Sequence, residues 1–197
     1  MNFFNNPTLL IGAGVLALVV FALAVWYLSR RKQSRGLKQR FGPEYGRAMD
    51  ELGSRTKAEA ELKARQRRVE RLDIVPLTIA EAARFSESWK ALQVRFVDDP
   101  QGSVVLADQL VRELMHARGY PVGDFERRAA DISVDHPVVV ENYRAAEHTA
   151  TRNQRGAADT EELRNAIVHY RALFDDLLDV REDKPGVLLP RRVAVPA

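Results

Sequence analysis

Four histidines, at positions 116, 136, 148 and 169, are the only imidazoles in the chain and so bound its acid–base and metal chemistry. His136 stands with Asp131 and Asp135, and a histidine beside carboxylates has the makings of a metal site or of a general base with an orienting acid. Ser133 adds a hydroxyl, which completes the residue types of a hydrolytic triad. A serine nucleophile, however, needs a strained elbow and an oxyanion hole, and no G-x-S-x-G pattern is present. Asp135 and His136 also stand immediately before Pro137, where polar side chains commonly cap a helix start, and that is the reading we adopt for them. Tyr143 and Arg144, a little further on, extend Asp135 and His136 into a speculative surface site. Buried tyrosines tied through their hydroxyls explain Tyr120 and Tyr143 equally well.

The remaining chemistry is sparse. His148 follows Glu147 without a second histidine at zinc-protease spacing, and His169 beside Tyr170 reads as a boundary residue between core and solvent. Gly12-Ala13-Gly14 lies inside an apolar run with no strand before it, so it is no dinucleotide fingerprint. With no cysteine, the chain has no disulfides, thiolate metal sites, haem attachment or cysteine nucleophile. Phe85, Trp89 and Phe96 recur at helical spacing and read as core rather than as a base-stacking platform. No catalytic, metal or cofactor-binding residue is assigned, and no cofactor is expected. The alternative is a metal-dependent or hydrolytic enzyme built on Asp131, Asp135 and His136.

The strongest pattern lies at the N-terminus. From Met1 to Ser29 no side chain is charged, and Leu9 to Leu28 is wholly apolar or aromatic. Twenty helical residues rise about 30 Å, the thickness of a bilayer's hydrocarbon core, so the expectation is a transmembrane helix over 9–28 bounded by Leu9 and Leu28. Trp26 and Tyr27 suit headgroup level as interfacial anchors. Arg30, Arg31, Lys32, Arg35, Lys38 and Arg40 follow with no acid among them, a lipid-facing basic flank. Such a flank stays cytosolic, which predicts an outside N-terminus and a cytoplasmic C-terminal domain at the inner membrane. Residues 73–197 carry sixteen bases against twenty-one acids, so the basicity belongs to the stretch beside the membrane. Anionic headgroups are therefore the expected partner, and nucleic acid is not. A cleaved signal ending at Ala22-Leu23-Ala24, giving an exported helical protein, is a further alternative.

The elements behind these residues all read as helices. Gly42-Pro43 breaks any helix continuing from the span, and Pro43 with Glu44 suits a new first turn. Residues 54–72 form a helix with a thin seam of Ala58, Leu62, Val69 and Leu72 that Arg65 interrupts, and it either packs on its own domain or pairs with a second copy. Thr78 and Glu81 make a capping box for a helix carrying Ile79, Ala82, Phe85, Trp89, Leu92 and Phe96. Asp99-Pro100 opens another helix that ends at Gly119, Asp124 can cap a short one, and Pro137 opens a longer one carrying Val140, Tyr143 and Ala146. After a polar break over 151–159, Leu163, Ile167, Tyr170, Phe174 and Leu177 line the last helix. The expectation is an all-α fold, one transmembrane helix followed by a small bundle. It divides into a polar N-terminus (1–8), the span (9–28), a basic arm (29–53), a helical domain (54–180) and a flexible tail (181–197).

Arg40-Phe41-Gly42-Pro43-Glu44-Tyr45, Ser133-Val134-Asp135-His136-Pro137 and Asn142-Tyr143-Arg144 resemble stretches of an uncharacterised family of small bacterial proteins with a single N-terminal span. The resemblance covers most of residues 37–178 and implies the same anchored helical layout, with no assigned activity to carry over. The function expected from the whole is a non-enzymatic interaction module at the inner face of the membrane. Its protein partner is not specified, and a homodimer is the simplest self-association it allows.

Overall fold

Where glycine and proline fall decides where the first helix must stop. In the computed structural model, residues 7–178 are described, with side chains for all of these except 7–15, 17, 19, 26 and 30. Helix α1 runs unbroken from Pro7 to Phe41, so the apolar run and the basic flank lie on one rod. It ends at Gly42, whose φ of 47° only glycine adopts without strain, and α2 (Pro43–Leu52) begins on the expected proline. Helices α3 (Arg55–Val69), α4 (Ile79–Arg95), α5 (Pro100–Ala117), α6 (Phe125–Asp135), α7 (Val140–Gln154) and α8 (Thr160–Leu177) follow. The fold is all-α, a helical bundle with no strand among the described residues. Among those residues no helix is long and apolar enough to cross a membrane. The expected span over 9–28 lies in part outside the described side chains, and the expected tail lies outside the described residues.

The described residues form two compact units, one of residues 7–72 with 126–141 and one of residues 73–125 with 142–178. In the first, α1, α2 and α3 pack on one another and bury Leu37, Phe41, Ala48, Ala58 and Leu62. Arg65, expected to interrupt the α3 seam, is instead buried within it. Its Nη1 donates to Glu44 Oε2 at 3.2 Å and its Nε to Glu61 Oε1 at 3.1 Å. Glu44 is only 1% exposed, so the residue expected merely to suit the α2 first turn is the guanidinium's internal partner. Beside them Arg68 Nε donates to Asp131 Oδ1 at 2.6 Å, an ion pair whose acid is fully buried on α6.

In the second unit the caps expected at α4 and α5 are present, and α8 has one that was not expected. Thr78 and Glu81 exchange both bonds of a capping box at α4, Asp99 accepts from Gly102 N at α5, and Asp159 and Glu162 form a second box at α8. Helix α5 packs against both α4 and α8. Trp89 stacks on Phe174 with centroids 4.6 Å apart, and Leu163, Ile167, Tyr170 and Leu177 complete the buried stripe. Ile79, expected in the core, is 65% exposed, because as the first residue of α4 it lies before the buried face begins at Ala82. The polar break is shorter than expected because α7 continues to Gln154. Its polar end is held in place: Asn153 donates to the Gln101 carbonyl at 3.0 Å, and Arg152 bonds Glu162 and the Ala157 carbonyl. Arg118, which showed no sign of a role in the sequence, is buried and donates to the carbonyls of Val75 at 3.2 Å and Leu177 at 2.9 Å.

Two substitutions test this account. Arg65→Met leaves the Glu44 carboxylate buried and is expected to cost about 3–5 kcal/mol in denaturant unfolding of the full chain in detergent, with part of the loss recovered by adding Glu44→Gln. Gly119 has φ of 91°, and a Cβ there would lie 2.3 Å from the Asp73 carbonyl oxygen. Gly119→Ala should therefore destabilise by at least the left-handed penalty of about 1–2 kcal/mol, seen as a lower melting temperature.

Candidate functional site

Asp131, Ser133 and Asp135, which looked chemical in the sequence, are engaged in structural contacts. Asp131 is held by Arg68. Ser133 is buried with its hydroxyl donating to the Ala130 carbonyl at 2.7 Å, a local bond within α6 that turns it away from any nucleophile role. Asp135 is the last residue of α6, and the His136 N–H closes that helix on the Ile132 carbonyl at 2.8 Å. The two therefore do not cap a helix starting at Pro137, because α7 begins only at Val140. The physical reason is the proline itself, which disfavours helical backbone at the residue before it and so ends α6 there. Among the described residues no group of three or more His, Asp or Glu is placed to hold a metal ion.

Of the residues in the speculative surface site, Asp135 and His136 belong to the first unit, Tyr143 and Arg144 to the second. Tyr143 is fully buried, packed with Phe125 at 5.0 Å and Tyr170 at 6.3 Å between centroids, so it is a core residue. Arg144 lies over the Phe125 ring at 6.0 Å.

The basic flank also divides. Arg40, expected to face lipid, turns to α6: its Nε donates to the Val134 carbonyl at 3.4 Å and its Nη2 lies 3.6 Å from Asp135. Arg31, Lys32, Arg35 and Lys38 are exposed on α1. The side chains of Leu9, Trp26 and Arg30 lie outside the described residues, while Tyr27 and Leu28 are 59% and 61% exposed.

Two of these cations help to form a cleft of about 470 Å³ in the first unit, lined by Tyr27, Arg31, Ser34, Arg35, Arg55, Thr56 and Glu59. Helical spacing sets Tyr27, Arg31 and Arg35 in one row along α1, since residues four apart share a face. Opposite them stands the first turn of α3. Its N-cap residue Ser54 has extended backbone and makes no side-chain capping bond, so the first-turn N–H groups have no acceptor within the helix. Glu59 is the acid of the cleft. Its Oε1 accepts from Tyr45 Oη and from Arg55 Nε, each at 2.9 Å. Burial pushes its carboxyl up, but hydrogen bonds from Ser34, Arg55 and Tyr45 outweigh that and hold it below the ordinary carboxylate value. Three guanidinia against one carboxylate leave the cleft positive.

The chain matches no family model, no curated protein and no solved structure. The cleft therefore has to be read from its own residues. Part of it was legible in the sequence, namely the four-residue spacing of Tyr27, Arg31 and Arg35 and of Arg55 and Glu59. What the sequence reading missed is that the turns at Gly42 and Gly53 fold the two sets together.

Because the folded-state carboxyl of Glu59 titrates below its ordinary value of 4.5, its contribution to stability is full above that pH and is lost as pH falls through the lowered value. Melting temperatures of the full chain in detergent should accordingly fall between pH 5 and more acidic conditions by less in Glu59→Gln than in the unaltered protein. Equal acid sensitivity in both would remove Glu59 as a source of it.

Proposed function

We propose that this chain is a single-pass membrane protein. It carries a non-enzymatic helical interaction module at the inner face of a bacterial membrane, with its N-terminus outside. The observation that carries this reading is the surface of α1. Leu16, Leu18, Val20, Phe21, Leu23, Val25 and Leu28 are between 47% and 70% exposed. At 100° per residue they spread over more than half of the helix circumference, which is wider than a single packed neighbour could cover. Water penalises a contiguous apolar surface of that kind, and a bilayer does not. The cations that begin at Arg30 support this direction, because short basic flanks stay cytosolic.

A non-enzymatic role is favoured by the fate of the acids: Asp131 and Asp135 lie in ion pairs that hold helices together. Anchoring concentrates whatever the cytoplasmic domain binds, which makes even a weak interaction effective. Self-association through α3 is not favoured, because Ala58 and Leu62 of its seam are already fully buried within the chain.

The absence of cysteine makes topology directly measurable. The full chain should stay in the membrane pellet through alkaline carbonate and leave it only with detergent. A membrane-impermeant maleimide should label Asn6→Cys in intact cells and Ser88→Cys only after permeabilisation. Uncleaved chain in the supernatant without detergent would defeat the anchor, and labelling of Ser88→Cys in intact cells would establish the exported alternative.

A further inference from the structure

The cleft on the first unit is more than a charged surface, because its cations converge on a concave space. We propose that it is a binding site for a phosphate ester, of the kind an anionic glycerophospholipid headgroup presents, held by Arg31, Arg35, Arg55 and the first turn of α3. Guanidinium forks match phosphate oxygens in pairs, and Arg31 and Arg35 are exposed beside each other on α1. The first-turn N–H groups at Arg55 and Thr56, left uncapped by Ser54, add donors and the positive end of the helix dipole. Its volume of about 470 Å³ is within the range of small-molecule sites, roughly 300–1,000 Å³. Glu59 does not cancel the site, since its Oε1 is bonded to Arg55 and Tyr45 and it offsets one cation of three.

The charge balance also selects the ligand. A zwitterionic headgroup would bring its own cation among the guanidinia, whereas an anionic one brings none. The place of the cleft suggests where the phosphate comes from, because Tyr27, at the end of the apolar run, forms part of its wall. This step rests on the proposed anchoring, whereas the phosphate chemistry does not.

The test is a titration of the full chain in dodecyl maltoside micelles with phosphatidylglycerol, phosphatidylcholine or glycerol 3-phosphate, read as bound ligand in native mass spectrometry. Phosphatidylglycerol should bind and phosphatidylcholine should not. Arg31→Gln should weaken binding about fivefold and Arg31→Gln with Arg35→Gln about 25-fold, taking each cation near the surface as worth about that factor. Lys38→Gln, on the same flank but outside the cleft, should stay within about twofold. Both arginines are exposed, so the unliganded melting temperature of the variants should match the parent. Binding of glycerol 3-phosphate with the same arginine dependence supports the site and assigns it a soluble phosphate ester. An equal loss in Lys38→Gln, or no response to any phosphate, overturns it. A chain that stays with the membrane yet ignores phosphate overturns the site and leaves the anchor. A chain that is soluble yet binds glycerol 3-phosphate through these arginines does the reverse.

Discussion

A guanidinium cannot be taken out of water alone, and in the first unit that constraint governs how the helices meet. The apolar seam of α3 is thin, with Ala58, Leu62 and Val69 its buried aliphatic residues. Contacts of that kind tolerate sliding, because small aliphatic residues fit many registers. Arg65 does not, since its Nη1 must find Glu44 of α2 while its Nε keeps Glu61 of its own helix. Buried ion pairs add little net stability compared with apolar replacements, but breaking one partner is costly. The pair therefore acts mainly on specificity, holding α2 and α3 in a single register. Arg68 with Asp131 does the same for α3 and α6.

The consequence reaches the cleft. With α3 held in register against α2, its first turn falls beside Tyr27, Arg31 and Arg35. A slip of one residue would rotate Arg55 and Thr56 by about 100° and open the site. The cleft's own acid, Glu59, is fixed by Tyr45 of α2, so the same short helix that satisfies Arg65 also positions the wall of the cleft. Structure and proposed binding are linked through α2, a helix of ten residues with only Ala48 and Glu44 buried.

The sequence made the second unit more legible than the first, and for a physical reason. Leu163, Ile167, Tyr170, Phe174 and Leu177 announce a buried stripe because helix period alone places them together. The capping box of Thr78 with Glu81 is likewise written within four residues. In the first unit the deciding interactions join residues far apart: Arg65 to Glu44, 21 positions away, and Arg68 to Asp131, 63 away. A charge on an apolar stripe reads as an interruption until its partner is known. Arg118 was illegible for a related reason, since it is satisfied by backbone carbonyls of Val75 and Leu177 that carry no side-chain signature.

The same distinction explains why the residues that looked most chemical were misread. Asp135 and His136 drew attention through their neighbours in sequence, yet their positions follow from the break that Pro137 imposes on α6. The basic flank looked uniform because composition cannot separate its members. Folding separates them by helix angle and by what lies opposite. Arg40 meets α6 and is neutralised by Asp135, whereas Arg31 and Arg35 meet a helix start that offers N–H donors and one acid. Cations five or nine residues apart on a single rod thus receive opposite assignments, one fastening helices and the others left available to an anion. That difference arises from α2 and α3 folding back along α1, so the binding capacity proposed for the flank is a property of the folded unit rather than of its charge count.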